Sequence, residues 1–297
     1  MVIKMDGLLI INKPKGLTSH DVVNKVRRYL GTKKVGHTGT LDPLATGVLV
    51  VCVNNATKLV NFLESDTKKY LCTMCFGIST DTYDITGNII KEDYNFEISN
   101  EQINNVLLSF IGKSKQIPPI YSAIKKDGKK LYEYAREGKE VELVERDIEI
   151  FDIYARKGLY KKEGKLYFDF FVHVSKGTYI RSLVHDIGLK LGINACMSDL
   201  VRLQSGNFKI EDSFTLEEVE VGKYSLVKMI DSIDFLKVKV DKNDDIYKKV
   251  INGMKLSCKI FNEKKDKIAF TLNDELIAIY EYNEDEFPCY KALRIWN

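Results

Sequence analysis

Twelve residues, Gly36-His-Thr-Gly-Thr-Leu-Asp-Pro-Leu-Ala-Thr-Gly47, constrain this chain more than any other segment. They hold three glycines, one proline and a single carboxylate, Asp42, and they run directly into the apolar stretch Val48-Leu-Val-Val-Cys-Val53. An apolar run of that length after turn residues reads as a strand buried on both faces. Pro43 excludes Asp42 from the helical region and holds its backbone extended. Glycines at 36, 39 and 47 permit positive φ and the close approach of a ligand. The segment therefore presents one carboxylate in one direction at the mouth of a buried strand. An Asp-Pro turn is by itself an ordinary connection; here it is surrounded by His37, Thr38, Thr40 and Thr46, with almost no large apolar side chain.

The rest of the chain reads as interleaved strands and helices. Gly7–Asn12 is a buried strand, followed by a turn, Ser19 as helix N-cap, and Val22, Val23, Val26, Tyr29 and Leu30 at helical spacing before Gly31. A short helix (about 56–64) and a strand (70–76) follow the opening motif. Ser99 and Gln102 form a capping box ahead of Ile103, Val106, Leu107, Phe110 and Ile111, with Gly112 closing that helix. Residues 116–147 are too basic and turn-rich for core and read as a surface excursion with a helical segment at Leu131, Tyr132 and Tyr134. A strand at 166–174, a helix from Ile180 to Leu191 ended by Gly192, and a strand at 199–203 follow. Strands and helices mix without regular βαβ alternation, so the expected class is α/β (α+β), with a mixed, largely antiparallel sheet flanked by helices. Beyond about residue 236 the pieces FLKVKV, KLSCKIF, KIAFTL, LIAIYEY and YKALRIW predict a small β-rich domain. The expected division is 1–235 and 236–297.

Composition narrows the function. No window supplies the ~18 apolar residues of a membrane span, and the N-terminus lacks the pattern of a signal peptide. The six cysteines follow no framework spacing, and Cys72 and Cys75 lie in an alternating strand that points them to opposite faces. A reduced, cytoplasmic protein is expected. Net charge is only +3, yet residues 1–60 carry nine Lys/Arg against three Asp/Glu, and residues 113–139 carry eight against three. Two basic windows of this kind suit a polyanion such as nucleic acid. Residues 239–297 balance eleven basic against eleven acidic residues and could not bind RNA by charge alone. Gly112-Lys113-Ser114 is no phosphate loop, because Leu107 stands where its first glycine belongs and a helix precedes it. The four histidines show no zinc-helix spacing, and no Gly-x-Ser-x-Gly elbow is present. Neither metal nor cofactor is expected.

The segment Gly36–Leu49 resembles the catalytic motif of the TruB family of pseudouridine synthases, which isomerise uridine 55 in the tRNA T loop. Leu9–Ser19, which contains Lys13, is similar to the family's N-terminal motif, and Lys69-Tyr70 with Thr80–Asp84 to its second. Gln116–Gly138 resembles the family's insertion, and Ser175–Gly188 with Ser198–Leu203 resembles its third motif. Similar order and spacing extend over about residues 7–215, and the C-terminal segment is similar in place and size to the family's PUA-like domain.

The resemblance implies that Asp42 is the catalytic carboxylate, Arg181 its cationic partner and Tyr70 the ring on which a flipped uracil stacks. Tyr179 and Leu200 match positions lining the uracil pocket, and His37 matches a residue that fills the space the base vacates. Lys13 and Asp84, within the matching motifs, are further candidates for binding the RNA or the base. The insertion is expected to grip the T loop, with Lys125, Lys126, Lys129 and Lys130 against phosphates. The implied reaction breaks the C1′–N1 bond of uridine, turns the uracil and rejoins it through C5, with no redox change and no cofactor. The implied partner is the T arm of tRNA, bound by a monomer. Two rival readings share the fold: a tRNA-folding chaperone, and a guide-RNA-dependent synthase of the dyskerin type.

Overall fold

In the computed structural model, which describes residues 6–63, 67–261, 264–284 and 289–296, the apolar runs become strands of one nine-stranded mixed sheet. Strand β1 (Gly7–Lys13) leads to helix α1 (Ser19–Tyr29), β2 (Val35–His37) and β3 (Thr46–Val53). A 3₁₀ turn (Asn54–Leu59) and α2 (Val60–Leu63) connect to β4 (Lys68–Phe76). The small ribbon β5 (Ile78–Thr80) and β6 (Ile89–Glu92), helix α3 (Asn100–Leu108) and strand β7 (Gly112–Gln116) precede the insertion. The insertion holds β8 (Lys125–Lys126), β9 (Lys129–Lys130) and α4 (Leu131–Arg136). Then come the long strands β10 (Arg146–Lys162) and β11 (Lys165–Val174), helix α5 (Ile180–Leu191), β12 (Ala195–Ser205), β13 (Phe208–Lys209) and α6 (Leu216–Glu220).

The main sheet runs β1–β3–β12–β4–β11–β10–β7, with β2 on β3 and β13 on β12. Every pairing in it is antiparallel except β3 with β12. That parallel seam is short, aligning Val201 with Thr46 and Arg202 with Gly47. It sets the end of the Asp42 loop against the strand that carries Leu200. The sheet is buried differently in its two halves. In β1 and β3, Leu9, Ile11, Leu49 and Val51 pack on α1, while Leu8, Ile10, Val48 and Val50 pack on the other side with Phe208 and Met229. In β4 and β11, Cys72, Met74, Phe168, Phe170 and Val172 pack on α3 and α5 through Ile103, Leu107, Leu183 and Ile187.

A second sheet is formed by β14 (Leu236–Lys239), β15 (Lys267–Leu272), β16 (Glu275–Tyr282) and β17 (Tyr290–Ile295), with helix α7 (Asp245–Ile251) beside it. Val250, Ile268, Phe270, Tyr280 and Tyr290 make its own core. Its other face docks on the first sheet through Ala269, Ile279 and Trp296, whose indole N–H donates to the Asn55 carbonyl at 3.0 Å.

Several local expectations shift. Thr18, not Ser19, caps α1, in a capping box with Asp21. The capping box of Ser99 and Gln102 is present, but α3 ends at Leu108, capped by Ser109, and Gly112 opens β7 instead of closing the helix. KLSCKIF is a 3₁₀ turn after a single bridge of Leu256 to Tyr290, not a strand. Gly192 is the left-handed cap of α5, as its position predicts. All six cysteines are free thiols, and Cys72 and Cys75 fall in separate clusters, as strand alternation requires.

Gly47 has a different use from the one its sequence suggests. Its φ is +96°, and a Cβ there would lie 2.3 Å from the backbone carbonyl oxygen of Arg202. The close approach it permits is to strand β12, not to a ligand. Gly39 has open space around its missing Cβ. Gly47→Ala is therefore expected to destabilise the fold by about 3 kcal/mol in chemical denaturation, through strain and steric displacement together. Gly39→Ala should stay within about 1 kcal/mol of the native protein. Equal effects of the two substitutions would remove the parallel seam as the reason for Gly47.

Candidate active site

The Asp42 loop is held on three sides. Because Thr18 caps α1, the Ser19 hydroxyl is free to accept from the Leu41 N–H (2.8 Å) and to donate to the Leu41 carbonyl (3.1 Å). The N–H of Gly16 donates to the Pro43 carbonyl at 2.8 Å. From the opposite side Arg202, 3% exposed, donates to the carbonyls of Val48 (2.7 Å), Thr40 (3.1 Å) and Gly39 (3.3 Å). A guanidinium buried at this depth needs acceptors, and backbone carbonyls of the loop and of β3 supply one to each of its three nitrogens. Within the loop the Ala45 N–H closes a turn on the Asp42 carbonyl at 3.1 Å.

Asp42 meets Arg181 side-on. Arg181 Nε lies 2.8 Å from Oδ2 and Nη2 lies 3.1 Å from Oδ1, the two-bond fork that a planar guanidinium makes with a carboxylate. Nη1 and Nη2 of Arg181 also donate to the carbonyls of Thr82 (3.1 Å) and Tyr121 (3.0 Å), and Asp84 Oδ2 lies 3.9 Å from Nε. Asp84 is itself held in place by Thr82 and Thr86. Helix α5 brings Arg181 here from its first turn, and Gln116 of β7 fixes the approach to that helix. Its amide accepts from the Tyr179 N–H (2.8 Å) and donates to the Tyr179 carbonyl (3.1 Å).

The Arg181 side chain is 6% exposed and that of Asp42 is 39% exposed, on the wall of a cleft of about 790 Å³. Tyr70 of β4, Leu200 of β12 and Tyr179 line the same cleft. Desolvation in this setting raises the Asp42 pKa above the ordinary carboxylate value. Arg181 opposes that rise and Asp84 adds to it. Partial exposure and a raised pKa are compatible because the exposed part faces a confined cleft instead of bulk water. Lys13 is fully buried, with Nζ donating to the carbonyls of Leu17 (2.6 Å) and Pro14 (2.9 Å). Burial lowers its pKa to about 8, and Asp42 is the largest influence holding it up.

Of the residues expected at the site, Asp42, Tyr70, Tyr179, Arg181 and Leu200 meet around one cleft, with Asp84 behind Arg181. Lys13 acts on Asp42 through charge without lining the cleft. His37 and the four insertion lysines do not line it either. His37 is partly buried on β2, with Nδ1 unpartnered, and desolvation lowers its pKa, with Arg202 adding to the effect. Lys125 and Lys126 pair across β8 and β9 with Lys130 and Lys129. Two of the four already meet carboxylates, Lys126 with Glu142 at 3.3 Å and Lys129 with Glu137. Arg202, Ser19 and Gln116 escape sequence reasoning about chemistry, because each acts on backbone atoms of a distant segment. Only Arg202 leaves a signal, a charge inside the otherwise apolar strand segment Leu200–Leu203.

The whole architecture is shared with a protein of an H/ACA ribonucleoprotein solved with a substrate RNA containing 2′-deoxyuridine. That match has a TM-score of 0.69 and 25% identity over 98% of this chain and 85% of the other. A Cbf5–Nop10–Gar1 complex gives a TM-score of 0.67 at 26% identity, with 98% and 84% covered. The fold is that of a pseudouridylate synthase. The sequence model described as "TruB family pseudouridylate synthase (N terminal domain)" matches residues 27–180, and the chain belongs to that family. The model of the "tRNA pseudouridylate synthase B C-terminal domain" matches residues 181–236. The chain is 44% identical to tRNA pseudouridine synthase B of Oceanobacillus iheyensis over 98% of both chains. It is 42% identical to that of Bacillus cytotoxicus, over 98% of this chain and 97% of the relative. For Thermosipho melanesiensis the figures are 44%, 93% and 90%.

Removing Arg181 leaves two carboxylates without their cation and two carbonyls without a donor. Arg181→Met is expected to cost about 2 to 3 kcal/mol of stability, at the low end for a buried pair because Asp42 is partly exposed. Adding Asp42→Asn should recover about 1 kcal/mol of that loss in a double-mutant cycle. Strict additivity would mean that the two side chains are not coupled.

Proposed function

We propose that this chain isomerises uridine to pseudouridine in tRNA, at position 55 of the T loop. The observation that carries the reading is the forked Asp42–Arg181 pair on the wall of a cleft that also holds Tyr70, Tyr179 and Leu200. A uridine inside a folded loop must be turned out to reach a cleft of this kind, and its lost stacking has to be replaced by protein surface. Tyr70 supplies a ring for that purpose, and Leu200 and Tyr179 close the pocket around it. Asp42 then acts on the sugar, by attack on carbon or removal of a proton, while C1′–N1 breaks and the uracil turns to rejoin through C5. Arg181 keeps the carboxylate ionised in a place where burial favours its neutral form. Its fork also fixes the direction in which the carboxylate points.

Further parts of the reading concern how the RNA is held. The insertion, about 116–147, closes over the T loop, and Lys125, Lys126, Lys129 and Lys130 neutralise phosphates there. Lys126 and Lys129 have to exchange Glu142 and Glu137 for phosphate, so Lys125 and Lys130 contribute more. His37 fills the space left in the RNA loop. The chain divides at about residue 236 into a catalytic domain and a PUA-like domain, and it works as a monomer in the cytoplasm, where its six free thiols remain reduced. The stand-alone reading is favoured over a guide-RNA-dependent one by the identity of 44% to tRNA pseudouridine synthase B, against 25% to the H/ACA protein. A folding chaperone has no use for a fixed carboxylate that repels phosphate.

The test is release of tritium to water from unmodified tRNA carrying C5-tritiated uridine, with pure protein and no additive. Wild-type protein should release one label per tRNA. Asp42→Asn should release none above background, and Arg181→Lys should lower turnover at least tenfold with tRNA affinity nearly unchanged, since charge remains but the fork is lost. Full release by Asp42→Asn would refute the assignment.

A further inference from the structure

The outer face of the β10–β11 ribbon carries groups that the cleft does not use. Three ring pairs follow one another across its two strands: Phe151 with His173 (centroids 4.9 Å apart), Tyr154 with Phe171 (4.8 Å) and Tyr160 with Tyr167 (5.7 Å). Their strand neighbours Ile153, Phe170 and Val172 are buried against α3 and α5, so the rings share the opposite face. Phe151 and Tyr154 remain 41% and 42% exposed. On β11, Phe171 and His173 are two residues apart, a step of about 7 Å that an extended polynucleotide backbone can follow.

The charge at the far end of this ribbon is predominantly positive. Between residues 155 and 166 stand Arg156, Lys157, Lys161, Lys162 and Lys165 against Glu163 alone. The turn at Glu163 and Gly164 (φ 50° and 78°) makes this stretch the projecting end of a hairpin. None of the five cations forms an ion pair with a carboxylate among the described residues. Lys157 Nζ instead lies 3.8 Å from the centre of the Tyr160 ring. Two carboxylates share the face: Asp152, exposed beside Phe151, and Asp169, which accepts from Thr73 and Tyr160. At its inner end the strip reaches the cleft rim. His173 pairs with Lys69 on β4, next to Lys68, and lies two residues before Ser175; Lys68 and Ser175 both line the cleft.

We propose that this face is a second RNA-binding surface, on which an unpaired segment of the substrate tRNA, outside the T arm, lays its bases on Phe151, Tyr154 and Phe171 and its phosphates along the hairpin cations. The inference rests on the tRNA-modifying activity proposed above. Exposed rings accept the face of any base, and the hairpin cations, none of them ion-paired with a carboxylate among the described residues, neutralise the backbone. An apolar protein partner would have to desolvate five uncompensated cations, which a polyanion satisfies directly.

The test compares unmodified full-length tRNA with an isolated T-arm hairpin as substrates for wild-type protein, Tyr154→Ala and the charge-reversed pair Lys161→Glu/Lys162→Glu. Both variants should raise KM for full-length tRNA about tenfold, with kcat and all constants for the hairpin unchanged. Tyr154→Phe, which keeps the ring, should behave as wild type. An unchanged KM on full-length tRNA overturns the proposal, as does an equal loss on both substrates. A variant-sensitive dimer in sedimentation with KM unaltered would assign the face to a second copy of the chain, and equally overturns it. If wild-type protein modifies neither substrate, the failure lies in the proposed activity and not in this surface.

Discussion

The pairing of Arg181 with Asp42 sets the terms for everything around it. A guanidinium that is almost fully buried requires acceptors on every side, and the chain supplies them from segments that are far apart in sequence: Asp42, Thr82, Asp84 and Tyr121. Each of these positions is consequently tied to the start of α5. The carboxylate gains direction from the fork, and Arg181 opposes the desolvation that raises its pKa. Such a pair adds little net stability, because the cost of burying charge offsets most of the attraction. Its value lies in fixing one oxygen atom relative to a cleft.

The sheet topology serves the same end. A single parallel contact between β3 and β12 brings the end of the Asp42 loop against Arg202, and Gly47 makes that contact possible by having no side chain. Arg202 then organises the loop's carbonyls as Arg181 organises its carboxylate. The second arginine holds backbone where the first holds a side-chain carboxylate. Ser19 completes the frame from α1, free to do so because its neighbour Thr18 takes the capping role.

Much of this was legible in the sequence, for local reasons. Val48–Val53 reads as a buried strand because it is one, and the capping box of Ser99 and Gln102 needs only residues three apart. Asp42, Tyr70 and Arg181 were recognisable through motif resemblance, and the structure brings them to one cleft from β4, α5 and the loop before β3. Long-range partnerships were not legible. Gly47 looks like a ligand-side glycine until β12 is laid beside it, and Ser19 looks like a cap until Leu41 appears above it. Strand β10 was hidden because its bulges break the alternation and its outer face mixes rings with lysines. Helix α7 was hidden in a charged segment whose one fully buried residue is Val250.

The central claim is that a carboxylate at position 42, held ionised by Arg181 against desolvation, performs the chemistry. The most direct measurement is the pH dependence of single-turnover pseudouridine formation in wild-type protein and in Arg181→Lys. An ionised Asp42 is lost as pH falls through its raised pKa. The acid limb should therefore lie above the ordinary aspartate range of about 3.9, and it should move further up in Arg181→Lys, whose ammonium cannot fork the carboxylate. An acid limb at or below that range, unmoved by the substitution, would contradict the account.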